Sequence, residues 1–162
     1  MACVYVSIGS NIDKQKNIAA CLQELAQHFT ELVLSPIYES ESVGFDGDNF
    51  FNLVASFTTS LTVGELNRAL KAIEDKHGRE RSGPKFSGRT LDIDILTYDE
   101  LVGDIDGVQL PRDEITKNAF VLLPMKDIAG EKLHPELKVS YSRLWFFYDK
   151  DQQKLWQVDL HS

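Results

Sequence analysis

The chain has 162 residues, with 25 acids against 17 bases and a formal charge of −8. That length is enough for one domain with a substantial core. The acidity excludes the basic footprint of a nucleic-acid binder outside the short Lys76–Arg89 stretch.

No apolar run approaches the roughly 20 residues that cross a bilayer, and the N-terminus shows no charged-then-apolar leader. Cys3 and Cys21 fit no zinc spacing. A cytoplasmic, monomeric protein of one domain (residues 1–162), without a disulfide, is expected.

Val4 to Ile8 reads as a strand that runs into Gly9-Ser10-Asn11, where Ser10 or Asn11 is placed to cap a helix. In that helix Ile18, Leu22, Leu25 and Phe29 recur at helical spacing and form a core stripe. Leu32 to Tyr38 is a second strand, interrupted by Pro36 as at an edge or a bulge. Residues 39–49 have turn composition, and loops of this length often carry function. Phe50 to Thr59 is a long strand. Thr62-Val-Gly-Glu65 is a capping box that opens a helix with Leu66, Leu70 and Ile73 inward and Gly78 at its end. Residues 79–89 form a second loop, with Gly83, Pro84 and Gly88. A short strand follows, then a turn near Asp99-Glu100 or Gly103-Asp104. Next come a helix from Ala119 to Ala129 with Pro124 bending or ending it, a helical stretch from Tyr141 to Tyr148, and an alternating edge strand from Leu155 to Leu160. Strand-helix-strand, twice over, is the order of a ferredoxin-like α+β sandwich, an antiparallel sheet with helices packed on it.

The short strand carries the chemistry. In Gly88-Arg-Thr-Leu-Asp-Ile-Asp-Ile95, side chains two apart share a face, so Asp92 and Asp94 project together while Leu91, Ile93 and Ile95 form an apolar face. Two carboxylates on a rigid strand can hold a hard cation such as Mg2+ between protein and phosphate. Arg79, Arg81, Lys85 and Arg89 lie just upstream, which brings phosphate-binding cations into the same segment. The same Asp-x-Asp pattern also arises on a solvated strand face, but aspartate is a poor strand former and the like charges repel.

Several separated motifs also resemble one family. They are Gly9-Ser10-Asn11, Ser35-Pro36-Ile37-Tyr38-Glu39, Asn49-Phe50-Phe51-Asn52, Ile73-Glu74 with Gly78-Arg79-Glu80-Arg81, Gly88 to Leu96, and Phe120-Val-Leu-Leu-Pro-Met-Lys-Asp-Ile-Ala129. Together, over about residues 4–130, they resemble the 6-hydroxymethyl-7,8-dihydropterin pyrophosphokinases of folate biosynthesis; residues 131–162 contribute little. The resemblance implies a ferredoxin-like fold with mobile loops and a Mg2+-dependent transfer of pyrophosphate from ATP to the pterin hydroxymethyl group, leaving AMP. It implies that Asp92 and Asp94 hold two Mg2+ ions on the triphosphate and that Arg79 and Arg89 stabilise its charge. Phe50 and Phe120 would sandwich the pterin, Asn52 would read its edge, and backbone groups around Ser40 and Val43 would complete that recognition. The ATP side would draw on Lys71, Glu74, Arg81, Phe86, Ile95 and Arg112. Taken alone, Phe50 and Phe120 also fit a core, Asn52 a strand end, and Glu74 a last-turn surface acid poorly placed for the helix dipole.

The nucleotide side departs from the family pattern. Where relatives carry Pro-His, this chain has Pro111-Arg112, and Asn118 stands for an arginine. Gly107 replaces a basic residue, Phe86 a tryptophan, and Lys71 a glutamine one helical turn before Glu74. Lys71, Lys85 and Lys117 are the cations available to compensate. Two alternatives therefore stay open: a paralogue that binds pterin or nucleotide without transfer, and another Mg2+-dependent phospho- or nucleotidyltransferase.

Overall fold

The computed structural model describes residues 1–41, 48–78 and 91–160. Its elements are β1 (Ala2–Ser10), α1 (Lys14–His28), β2 (Thr30–Leu34), β3 (Ile37–Ser40), β4 (Phe50–Thr59), α2 (Val63–Lys76) and β5 (Asp92–Tyr98). They continue with β6 (Gly103–Ile105), β7 (Val108–Leu110), α3 (Glu114–Lys117), α4 (Ala119–Ala129), α5 (Tyr141–Phe147) and β8 (Leu155–Val158). The main sheet runs β5-β1-β4-β3-β8, with β2 also on β4, and the pairings are antiparallel. This is the ferredoxin-like sandwich with an added edge strand, β8.

Both faces of the sheet are covered. Ile18, Cys21 and Leu25 of α1 and Leu66, Leu70 and Ile73 of α2 bury against Val4, Val6, Ile8, Leu53, Ile93 and Ile95. On the opposite face Val121, Leu122 and Met125 of α4 and Tyr141 of α5 bury against Tyr5, Val54 and Leu96. Ile95 and Leu96 are adjacent and enter different cores, as alternation along a strand requires. Burying one such large apolar side chain is worth about 1.5–3 kcal/mol, so these two layers fix the sheet's orientation.

The expected second strand is broken at Pro36 into β2 and β3, both paired to β4. Proline has no N–H for the ladder, and Ser35 repairs the gap. Its N–H donates to the Val54 carbonyl at 2.9 Å, and its Oγ accepts from the Val54 N–H at 2.9 Å. The capping box of α2 is formed as expected: Thr62 Oγ1 accepts from the Glu65 N–H at 3.2 Å and Glu65 Oε1 from the Thr62 N–H at 2.9 Å.

Other expectations need correction. The N-cap position of the helix after β1 is Asp13, whose side chain makes no capping hydrogen bond, and not Ser10 or Asn11. Ser10 Oγ instead donates to the Ile12 carbonyl, and Asn11 Nδ2 reaches the Asp48 carbonyl at 3.2 Å, so both residues build a turn ahead of the helix. Pro124 lies inside α4 without ending it, which denies the Phe120 carbonyl its usual intrahelical partner. Between β5 and α3 the chain makes a hairpin, β6–β7, where the sequence reading has only a turn. Asp106 and Gly107 sit at its tip with φ of 53° and 84°.

Candidate active site

Strand alternation assembles the site on the α4 side of the sheet. Phe51 and Leu53 enter the α1/α2 core while Val54 enters the other, so Phe50 and Asn52 share the α4 face. By the same rule Gly9 shares the face of Tyr5, and Asp92 and Asp94 oppose the buried Ile93. The registers then line up Asp92, Gly9, Asn52 and Tyr38 across β5, β1, β4 and β3. Strands lie about 4.8 Å apart, so the Asp92 and Asn52 backbones are separated by roughly 10 Å. Gly9 is the floor between them. A Cβ at Gly9 would lie 2.7 Å from Asn52 Oδ1, closer than such atoms tolerate.

Helix α2 holds the diacid strand from the side. β5 is terminal in the sheet, and the peptide groups of Ile93 are bonded to α2 side chains. Its N–H donates to Glu74 Oε2 at 2.6 Å, and its carbonyl accepts from Lys71 Nζ at 3.0 Å. Glu74 is fully buried, which removes the alternative of a surface acid. Burial raises its pKa, against the lowering effects of the Ile93 N–H and Lys71.

Asp94 is ringed by charge. Lys71 Nζ lies 3.4 Å from its Oδ1 and 3.1 Å from Glu74 Oε2, and the Arg112 guanidinium is 3.7 Å from its Oδ2. Arg112 is held more closely by Glu114, at 2.8 Å. Burial first, and the Asp92 charge second, raise the Asp94 pKa against the pull of Arg112 and Lys71. A divalent cation beside the two aspartates would relieve that repulsion. Among the described residues no group of three or more His, Cys, Asp or Glu side chains could hold a metal unaided. Two hard oxygen donors on one face therefore fit a Mg2+ that takes its remaining ligands from phosphate and water.

Residues 5–130 match the family model for 7,8-dihydro-6-hydroxymethylpterin-pyrophosphokinase (HPPK). The chain belongs to this family. It is 37% identical over 137 residues to the 2-amino-4-hydroxy-6-hydroxymethyldihydropteridine pyrophosphokinase of Pseudomonas aeruginosa, covering 82% of this chain and 84% of that one. Identity to the enzyme of the same name in Aquifex aeolicus is 33% over 137 residues, with coverages of 83% and 85%. A relative in Dictyostelium discoideum, "Folic acid synthesis protein FOL1", is 34% identical over 146 residues; the match covers 87% of this chain but only 22% of that protein. An HPPK-DHPS crystal structure in complex with substrates superposes with a TM-score of 0.71 at 14% identity, over 93% of this chain and 44% of that one. At that identity the likeness establishes the fold.

Within the HPPK frame the expected residues divide into three groups. Asp92, Asp94, Phe50, Asn52, Lys71 and Arg112 lie on or beside the diacid row, and Phe120 sits half-buried at the start of α4, which covers that face. Ser40 ends β3 opposite Phe50. Ile95 turns its side chain into the α1/α2 core, leaving only its backbone to meet a ligand. Val43, Arg79, Arg81, Phe86 and Arg89 lie outside the described residues, as does Lys85. Lys117 pairs with Asp113 at 2.9 Å on the surface and does not reach Asp94.

Two positions escaped the sequence reading. Gly9 was visible only as part of Gly-Ser-Asn. Tyr38, aligned with Asn52, donates its hydroxyl to Asp127 of α4 and so ties β3 to the helix that carries Phe120. The motifs Ser-Pro-Ile-Tyr-Glu and Lys-Asp-Ile-Ala contain the two partners, but nothing in the sequence pairs them. A separate cavity of about 520 Å³, lined by Phe29, Thr59, Ile73 and Lys76, opens at the other end of the sheet and contains no candidate residue.

Proposed function

We propose that this chain transfers the β,γ-pyrophosphoryl group of ATP to the hydroxymethyl oxygen of 6-hydroxymethyl-7,8-dihydropterin, releasing AMP. The observation that carries this reading is the single row Asp92–Gly9–Asn52 on one sheet face. It sets a pair of hard oxygen donors and an amide hydrogen-bonding group at a separation suited to a phosphate chain and a small flat ring.

Each part of the chain has a distinct task. Phe50 and Phe120 stack on the ring, and the Asn52 amide, able both to donate and to accept, reads its edge with backbone groups near Ser40 and Val43. Asp92 and Asp94 would hold Mg2+, which when bound neutralises charge on the phosphates and templates their geometry. Arg112, with Lys71, supplies positive charge beside the phosphates. Arg79 and Arg89, assigned by likeness to the family, would stabilise charge on the transferred group and on departing AMP. The backbone of Ile95, together with Glu74, Arg81 and Phe86, belongs to the nucleotide side, with Glu74 acting through the Ile93 peptide that it holds.

The decisive assay mixes the protein with Mg2+, ATP and the hydroxymethyl pterin and measures AMP. Pterin-dependent AMP that disappears in Asp94→Ala supports the reading. Tight pterin binding with no AMP, or ADP in place of AMP, overturns it.

A further inference from the structure

We propose that Lys71 is a tethered counter-ion that competes with the divalent cation for Asp94, so that metal binding is weakened until the nucleotide is present. This rests on the reading of Asp92 and Asp94 as metal holders. Lys71 Nζ sits within reach of three oxygens at once: the Ile93 carbonyl at 3.0 Å, Glu74 Oε2 at 3.1 Å and Asp94 Oδ1 at 3.4 Å. It is therefore seated on the strand that would bind the ion, not waving in solvent. Among the described residues the charged groups facing Asp94 are Asp92 and Glu114 on the acid side and Lys71 and Arg112 on the basic side, with Glu74 against Lys71. Of the two cations, Arg112 is engaged first by Glu114, with both Nε and Nη2 on one oxygen, while Lys71 is the closer to Asp94.

An ammonium at 3.4 Å from a carboxylate oxygen and a metal bound to that carboxylate repel each other, so binding the ion displaces Lys71 outward. Its side chain is 33% exposed, which gives it room to swing off the strand. Arriving phosphates offer the displaced ammonium a new partner, and this couples metal uptake to nucleotide uptake. Solvent screening of the partly exposed ammonium, and the second cation at Arg112, hold the competition to roughly tenfold in metal affinity.

The test is a titration of the whole protein with Mn2+, followed by the paramagnetic resonance signal of the free ion, with and without a non-hydrolysable ATP analogue. Wild type is compared with K71Q, K71R and D94N, and melting curves verify that each variant folds. Glutamine keeps a neutral donor for the Ile93 carbonyl, so the strand stays covered. Without nucleotide, K71Q binds Mn2+ about tenfold more tightly than wild type and K71R stays within about twofold. With the analogue the K71Q advantage shrinks. Unchanged or weaker Mn2+ binding by K71Q, or an equal gain in K71R, overturns the proposal. Should D94N leave Mn2+ binding with the analogue intact, the metal reading itself fails. Should D94N weaken it while K71Q changes nothing, only the counter-ion role fails.

Discussion

Replacing Gly9 with alanine tests the geometry of the site at its centre. The new Cβ would stand 2.7 Å from Asn52 Oδ1, and the flexible amide rather than the backbone would move. Gly9 is paired on both sides, with Asn52 and Asp92, and is not among the residues at positive φ, so alanine fits the strand itself. Turning the amide away removes an acceptor and a donor from the pterin edge. At about 1 kcal/mol for each neutral hydrogen bond, the loss is about 2 kcal/mol, or roughly thirtyfold in pterin Kd. Calorimetric titration with the pterin and with an ATP analogue, together with a melting curve, separates the possibilities. The expected outcome is a large loss for pterin, a change within about twofold for the nucleotide, and a Tm within a few degrees of wild type. Pterin affinity that is unchanged, or nucleotide affinity that falls equally, refutes the assignment of Asn52 and of the floor beneath it.

Three further outcomes follow from the same contacts. Glu74→Ala strips the Ile93 N–H of its acceptor in a fully buried setting. Urea unfolding should show a loss of about 1–3 kcal/mol, with Glu74→Gln losing clearly less, and a Glu74→Ala protein within ~0.5 kcal/mol of wild type would contradict the strut. Phe120→Ala should weaken pterin binding about tenfold while leaving the ATP-analogue affinity within about twofold, and equal losses in both titrations would rule out stacking. His134 is buried, and its Nδ1 accepts from the N–H groups of Glu136 at 3.2 Å and Leu137 at 3.1 Å. Burial lowers its pKa from the ordinary 6.5, so the unfolded chain takes up the proton first and stability falls as pH drops below that value. Melting temperatures from about pH 7.5 to 5.5 should therefore fall more steeply for wild type than for His134→Asn, and parallel slopes would remove His134 as the cause.

What could be read in advance follows the range of the interactions. The Thr62–Glu65 box is complete within one turn, and the strand from Phe50 to Thr59 and the break at Pro36 follow from residues next to each other. The pairing of Asp92 with Asp94 is likewise local, a property of strand alternation. Longer-range roles were hidden. Glu74 resembles a surface acid until β5 is laid beside α2 and the Ile93 N–H arrives from 19 residues away. Tyr38 and Asp127 meet across 89 residues. No cap forms at Ser10 or Asn11 because the helix starts only at Lys14, beyond a turn in which Ser10 Oγ donates to the Ile12 carbonyl. The β6–β7 hairpin has a local signal at its tip, Asp106-Gly107, but strands of three residues are too short to show an alternating pattern.

The side chains of Lys71 and Glu74 along β5 also bear on how copies of this molecule meet. An outermost strand with bare peptide groups invites another strand to add to it, the route by which sheets fuse into larger aggregates. Here the Ile93 peptide is already occupied, so that margin offers no docking ladder at the level of the two aspartates. Strand addition at that level would first have to break the Glu74 and Lys71 contacts to the Ile93 peptide.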